Sequence, residues 1–266
     1  MTTVTDPARE LADICMRLSE GVPTKGDDFL ASKFEVPAWS TEFFQIIFCI
    51  SKRADDLIEI LSQIEIDDDY RLEFAGHIGQ IKQAFSPNGL QNAWSHSVKN
   101  YISPDNVNSV KALSGRVRPI ISYPKLSEAE VSEILGLVEE LLAWLQDHQL
   151  AERDFVRAAL IEGLEQFDFR LRRINWLGWG YSLDSLREVI SAYLALERGT
   201  SDLDSAPDAA AVLRKTAACI KVIFGKMGTV RETAGDVAFM ILAYEQIVKV
   251  AQGTAPIAGL LTFAAQ

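Results

Sequence analysis

Apolar residues recur in steps of four and three along this chain, and that spacing, typical of one face of an α-helix, constrains its fold most. The clearest run follows "SEAE" at 127–130, where a serine and a glutamate three residues later form a capping box that begins a helix. An apolar face with a second apolar row beside it follows the box: Val131, Leu135, Val138, Leu142 and Leu145, flanked by Ile134, Leu137, Leu141 and Trp144. The pattern predicts a long helix with a wide apolar face.

The same periodicity predicts helices along most of the chain. The segment 20–40 holds two prolines and two glycines and predicts a loop, 86–89 predicts a turn, and 118–125 predicts a linker or a lone strand. No alternating strands joined by tight hairpin turns occur, so the sequence predicts an all-α fold: an irregular multi-helix bundle of long antiparallel helices, roughly 8–10 in number. The other helices are expected at 6–19, 41–63, from Asp67 or Asp68 onward, and at 90–102, 105–117, 151–175, 183–197, 208–226 and 230–252.

The predicted helix at 41–63 carries more apolar surface than one face needs. One face repeats at helical spacing: Phe43, Ile47, Ile50, Ala54, Leu57 and Leu61. Phe44, Phe48 and Ile58 lie outside that face and widen it. The sequence therefore predicts a helix that is buried on two sides.

The length of the chain, 266 residues, fits one large domain or two modest domains. We expect an N-terminal helical part over 1–126 and a C-terminal helical bundle over 127–266, which can also form one continuous domain. The N-terminal part includes a basic insert at 82–126.

Charge is unevenly distributed along the sequence. Residues 1–150 carry 13 basic and 23 acidic side chains, whereas residues 82–126 have a net charge of +5 within a chain of net charge −11. An acidic chain is a poor nonspecific ligand for nucleic acid, which binds proteins largely through its phosphates. The basic insert is instead a candidate surface for a protein partner or for self-association, through four side chains: Lys99, Lys111, Arg116 and Arg118.

Cysteine usage and the N-terminus predict a cytoplasmic protein. The three cysteines, Cys15, Cys49 and Cys219, are odd in number and far apart, which favours reduced thiols. The N-terminal residues include acids and no apolar core of a secretory signal.

One short segment is a candidate ligand site. "RRINWLGWGYSLDSL" at 172–186 places Arg172, Arg173, Trp176 and Trp179 close together in sequence. These side chains could stack on and clamp a nucleotide or phosphate. The alternative is a corner between two helices, in which Gly178 and Gly180 permit the bend, the tryptophans fill it, and Asp168 pairs with Arg172 one turn away.

Motifs for catalysis, metal binding or phosphate binding are absent, so no catalytic residue, cofactor or metal is predicted. Glu73 and His77 share a helical face but lack a nucleophile. The acids Glu162, Glu165 and Asp168 step by three along one predicted helix and are expected to form a solvated face. The alternative is an acid–base or divalent-cation site, for which Glu139 and Glu140 on the preceding helix could lie near.

The C-terminus is unusually apolar. Residues 237–252 have heptad spacing, and "IAGLLTFAAQ" ends the chain. Three placements stay open: a buried central helix with a docked tail, a seam with a partner or second copy, and insertion into a membrane. The candidate partner-binding residues here are Tyr244, Val248, Leu260 and Phe263.

Taken together, the sequence predicts a non-enzymatic helical protein–protein interaction subunit of the cytosol, such as an adaptor, a regulator or an immunity-type protein. Two other functions stay open. One is a membrane-active effector that uses the apolar C-terminal hairpin, and the other is a small-ligand or nucleotide sensor at the Trp176/Trp179 corner.

Overall fold

Helices make up almost all of the secondary structure, as the sequence predicts. The computed structural model describes residues 4–150, 154–199, 207–227 and 231–232, and this part of the chain contains eleven helices and three very short strands. The fold is therefore all-α, a multi-helix bundle. Of the helix predicted at 230–252, only residues 231–232 are described, and they form a short strand instead of a helical turn; the rest of that prediction lies outside the described residues.

The described residues group into two compact units. The N-terminal unit comprises Val4–Tyr123 together with Arg173–Gly180, and the C-terminal unit comprises Pro124–Arg172 and the described residues from Tyr181 onward. The division of the chain into domains at 126 stays a prediction.

The N-terminal unit contains seven complete helices in its described residues, most of which begin at a recognisable cap. Asp6, Ser40, Ser86 and Ser103 each accept a hydrogen bond from a backbone N–H in the first turn of the helix that follows. Its elements in chain order are β1 (Val4–Thr5), α1 (Pro7–Arg17), α2 (Gly26–Phe34), α3 (Thr41–Leu61), α4 (Asp68–Gln83), α5 (Pro87–Gln91), α6 (Trp94–Asn100), α7 (Pro104–Val117) and β2 (Ile121–Pro124).

The core of the N-terminal unit lies where α1 packs on α7 and α3, and α4 packs on α3 and α7. Leu11 and Ile14 of α1 are fully buried there. Trp94 is also buried, and its indole N–H donates to the carbonyl of Leu18 at 2.8 Å. Strands β1 and β2 are neighbours in a small sheet, so the extended segment 118–125 contains a strand.

Two local predictions are wrong. The segment 20–40 contains α2, because Asp27 and Asp28 favour the first turn of a helix and Phe34 gains a buried position. The predicted turn at 86–89 forms most of α5, which Ser86 caps. In both places glycine and proline lie next to a helix or in its first turn, positions that both residues tolerate.

The inner face of α3 is confirmed, but its predicted second buried side is wrong. All six residues of the predicted inner face are buried. Phe44, Phe48 and Ile58 are instead 48, 64 and 38% exposed. The apolar surface of α3 is thus covered on one side and open to solvent on the other.

The C-terminal unit is built on α8, which packs against α9 and α11. The capping box of α8 is present, with both of its reciprocal hydrogen bonds. Apolar residues at four- and three-residue spacing form the buried face of α9, Val156, Leu160, Leu164, Phe167 and Leu171, and Gly163 is buried beside them. The described elements of the C-terminal unit are α8 (Glu128–Asp147), α9 (Asp154–Arg172), the part of α10 (Ile174–Gly199) from Tyr181 onward, α11 (Pro207–Met227) and β3 (Arg231–Glu232).

A close approach of α9 to α10 depends on Gly163. A Cβ at this position would lie 3.0 Å from the Val189 Cγ2 atom and 3.2 Å from its backbone nitrogen. By contrast, a Cβ at Gly136 in α8 would meet no atom of the described residues within 4 Å.

We therefore expect Gly163→Leu to destabilise the protein by about 1–3 kcal/mol, because the new side chain overpacks the α9–α10 contact. Gly136→Leu is the matched control and should be neutral or stabilising, since leucine favours a helix over glycine. Urea unfolding of both variants and the wild type measures the difference. Equal stability of the two variants would contradict this packing.

Candidate functional site

Three exposed aromatic side chains lie together where the chain enters α3. Trp39, Phe44 and Phe48 are 46, 48 and 64% exposed, and we call them the α3 aromatic surface. The ring centroids of Trp39 and Phe44 are 5.8 Å apart, and Phe48 follows Phe44 by one helical turn. The buried Phe43 lies behind them, 6.1 Å from Trp39 and 6.0 Å from Phe44.

Trp39 is held in place by its backbone and by its indole. Its φ of 63° lies in the left-handed region, which costs a residue other than glycine about 1–3 kcal/mol. The indole N–H donates at 3.0 Å to Oδ2 of Asp27, a carboxyl that is only 9% exposed in the first turn of α2. The other oxygen of Asp27 accepts from the N–H of Asp28. The hydrogen bond to Asp27 and the ring contacts with Phe43 and Phe44 thus hold the Trp39 indole in a defined position.

The aromatic surface differs from the other exposed apolar side chains of the described residues. Tyr70, Leu72 and Phe155 are more than half exposed, and neither the Tyr70 ring nor the Phe155 ring packs on another aromatic ring of the described residues. Single exposed apolar residues are ordinary on protein surfaces, whereas contiguous apolar patches mark sites of interaction. The α3 aromatic surface is therefore the candidate functional site.

The predicted ligand corner is occupied by side chains of the N-terminal unit. The Trp176 ring meets the Phe34 ring edge-on at 5.0 Å, and the Arg17 guanidinium lies 5.8 Å from its centroid. Trp179 is buried, with 2% exposed. The chain bends at Gly178, whose φ is 75°. The tryptophans thus pack on the protein's own residues.

A largely buried ion pair holds this corner. The Arg53 guanidinium lies 3.5 Å from Oε2 of Glu10 and donates to the carbonyls of Trp176 and Leu177. The Trp179 N–H donates to Oε1 of Glu10 at 3.2 Å. Burial raises the pKa of the Glu10 carboxyl above its ordinary value, while the charge of Arg53 and the Trp179 N–H partly offset this effect.

Glycine is favoured at the bend because a Cβ at Gly178 would displace the carboxylate of Glu10 and the guanidinium of Arg53 from their ion pair. Its positive φ also favours glycine. These contacts explain why Arg173–Gly180 belongs to the N-terminal unit.

The two arginines of the predicted corner belong to different units, Arg172 to the C-terminal one and Arg173 to the N-terminal one. Arg172 pairs with Asp168 at 2.7 Å, as predicted, and also with Glu139 of α8. These acids thus have a guanidinium as their counter-ion. Glu162 and Glu165 are exposed, as expected of a solvated face.

Two basic side chains of the insert form ion pairs within the N-terminal unit. Arg118 lies 3.5 Å from Oδ2 of the buried Asp6, and Lys82 pairs with Asp55 at 2.6 Å. Arg116 lines a shallow groove of about 600 Å³ with Glu65, Ile66, Asp67 and Tyr70. Lys99 is exposed and Lys111 half-buried, and neither forms an ion pair with a described residue.

His77 and His148 contact neighbouring side chains, and the thiols of Cys15 and Cys219 are buried. Nδ1 of His77 lies 2.7 Å from Oδ1 of Asn106, and His148 stacks on Trp144 at 4.0 Å. Within the described ranges, no three His, Cys, Asp or Glu side chains could hold a metal ion together. Burial raises the pKa of the Cys15 and Cys219 thiols to about 12, so both stay protonated at neutral pH.

The C-terminal candidates Tyr244, Val248, Leu260 and Phe263 lie outside the described residues. Among the helices of residues 4–227 that the structure describes, none combines the length and the hydropathy needed to cross a membrane. No family model, no curated protein and no solved structure matches the chain.

Sequence reasoning missed the α3 aromatic surface. It placed Phe44 and Phe48 on a second buried side and Trp39 in a loop. The available signal was an apolar arc on 41–63 wider than one packed face, which is compatible with either a buried second side or an exposed surface.

Removing Glu10 should destabilise the chain because it leaves Arg53 buried without its counter-ion. We expect Glu10→Ala to lower the free energy of unfolding by about 3–5 kcal/mol. Asp13→Ala on the same helix is the control and should cost less than about 1 kcal/mol, since its ion pair with Arg9 is solvent-accessible. Chemical denaturation of both variants tests this difference, and a similar small effect for both would contradict it.

Proposed function

We propose that this chain is a non-enzymatic helical subunit of the cytosol that acts by binding another protein, as an adaptor, a regulator or an immunity-type protein. The observation that carries the proposal is the α3 aromatic surface, Trp39, Phe44 and Phe48. Three clustered aromatic side chains remain in contact with water although the same helix buries a complete face on its other side.

Aromatic side chains suit a protein interface for a physical reason. Each buries a large apolar area while losing little conformational freedom, and tryptophan is enriched among the residues that dominate binding energy. A surface that is already fixed before binding lowers the entropic cost of association. The hydrogen bond from Trp39 to Asp27 supports such preorganisation.

The other candidate surfaces receive less support from the described residues. Arg118 and Lys82 of the basic insert form ion pairs within the N-terminal unit. Trp179 is enclosed by the protein's own residues, and the thiols of Cys15 and Cys219 are protonated and buried. These observations favour a binding role over a ligand sensor or cysteine chemistry.

We expect Phe44→Ala/Phe48→Ala to weaken the binding of the partner protein. Quantitative mass spectrometry of a tagged chain captured from its native host should show at least about a tenfold lower recovery of one specific protein, which corresponds to about 1.4 kcal/mol. Leu72→Ala is the matched control, because Leu72 is 73% exposed on α4 of the same unit.

Light scattering of the purified wild-type chain and the double variant identifies a partner that is a second copy of the protein. In that case the wild type is a dimer and the variant a monomer. The same captured proteins and the same mass for wild type and double variant would overturn the proposed function.

A further inference from the structure

We propose that the segment Arg173–Gly180, which we call the strap, is a conformational device through which the N-terminal unit stabilises the packing of α9 on α10. The strap connects the end of α9 to the part of α10 that continues from Tyr181, but it belongs to the N-terminal unit. Side chains of α1, α2 and α3 contact it. The device goes beyond the proposed function, because it does not depend on the α3 aromatic surface.

Two arginines bind three successive carbonyls of the strap. Arg17 of α1 donates a hydrogen bond to the carbonyl of Asn175. Arg53 of α3 donates to the carbonyls of Trp176 and Leu177. Since Arg53 is only 3% exposed, its hydrogen bonds are shielded from water, and a charged donor in such surroundings binds more strongly than one in solvent. The backbone of the strap is therefore held at consecutive residues.

The second half of the strap is fixed by Glu10 of α1 and by a bend. The Trp179 N–H donates to Oε1 of Glu10 at 3.2 Å, and the other oxygen of this carboxylate lies 3.5 Å from the Arg53 guanidinium. Gly178 forms the bend with a φ of 75°, and a Cβ there would displace both partners of the ion pair. The ion pair and the bend therefore fit one another, and each depends on the docked position of the strap.

Apolar contacts of the strap add to these hydrogen bonds. The Trp176 ring meets the ring of Phe34 on α2 edge-on at 5.0 Å. Leu177 and Trp179 are buried, with 1 and 2% of their surface exposed. Burial of large apolar side chains is strongly favourable. Together with the hydrogen bonds, it holds the strap in one conformation against α1, α2 and α3.

The strap joins two helices that pack closely on each other. Helix α9 ends at Arg172, and α10 continues after the strap from Tyr181. A Cβ at Gly163 of α9 would lie 3.0 Å from Cγ2 of Val189 on α10, so the helices are close there. Bringing two helices together costs conformational entropy of the chain that connects them, and a connection that is already ordered lowers this cost. Docking of the strap should therefore stabilise the contact between α9 and α10.

This coupling is reciprocal because it is an equilibrium property. Packed helices α9 and α10 hold the two ends of the strap, which reduces the entropy that the strap loses when Glu10 and Arg53 bind it. The free energy that docking adds to helix packing equals the free energy that packing adds to docking. A substitution at either place should therefore be detectable at the other.

Hydrogen exchange of the whole 266-residue chain, followed by mass spectrometry, tests the proposal. Glu10→Ala removes the acceptor of the Trp179 N–H and the counter-ion of Arg53, so we expect the slowest amides of α9 to exchange at least about fivefold faster. Ile81→Ala is the control, because Ile81 is fully buried on α4 and its truncation destabilises the same unit without removing any strap contact described above. It should leave exchange in α9 unchanged.

A milder pair of variants keeps the test decisive if Glu10→Ala does not fold. Arg17→Ala removes an exposed side chain that binds the carbonyl of Asn175, and it should speed exchange in α9 by a smaller factor. Arg9→Ala is the matched control on the same helix. It removes an arginine that pairs with Asp13, and it should not affect α9.

The reverse direction uses the two glycine variants of the C-terminal unit. Gly163→Leu overpacks α9 against α10 and should speed exchange of the Trp179 amide at least about fivefold, whereas Gly136→Leu should not. Two results would overturn the proposal. One is unchanged exchange of α9 in both α1 variants that remove strap contacts, and the other is equal acceleration of α9 by Ile81→Ala and Glu10→Ala.

Discussion

Helix α3 has more apolar surface than the described helices around it cover, and the proposed binding role follows from this excess. Phe43 and Leu57 are fully buried on one side, where α1, α2 and α4 pack. Phe44 and Phe48 face solvent on the other side. Burying an aromatic or large aliphatic side chain contributes about 1.5–3 kcal/mol. Covering the outer side of α3 with a partner would therefore stabilise the complex.

The loop before α3 turns this apolar excess into a defined surface. Glu35 and Trp39 both have a positive φ, and the segment between them places Trp39 against Phe43 and Phe44. Asp27 fixes the indole by accepting its hydrogen bond. A buried carboxyl, an unfavourable backbone conformation and exposed rings are therefore combined in a few residues, a combination that is typical of functional sites.

Much of the fold could be predicted from the sequence because helical periodicity directly reflects burial. The faces of α9 and the inner face of α3 separate apolar from polar residues clearly. Periodicity shows which apolar residues share a face of a helix, but it does not show whether another element covers that face. The exposure of Phe44 and Phe48 therefore could not be predicted. Contacts between residues that are distant in sequence could not be predicted either. Arg53 binds the carbonyl of Trp176, and in the sequence it looks like an ordinary surface charge.

The proposed function requires that the outer aromatic side of α3 is not part of the folded core, and the unfolding free energy of Phe44→Ala/Phe48→Ala measures this. If Phe44 and Phe48 are exposed in the free protein, the double variant should stay within about 1 kcal/mol of the wild type in urea unfolding. Phe43→Ala, a neighbour that is fully buried, should lose about 3–5 kcal/mol in the same experiment. A loss in the double variant as large as that of Phe43→Ala would show that these rings are part of the core and would rule out the proposed binding surface.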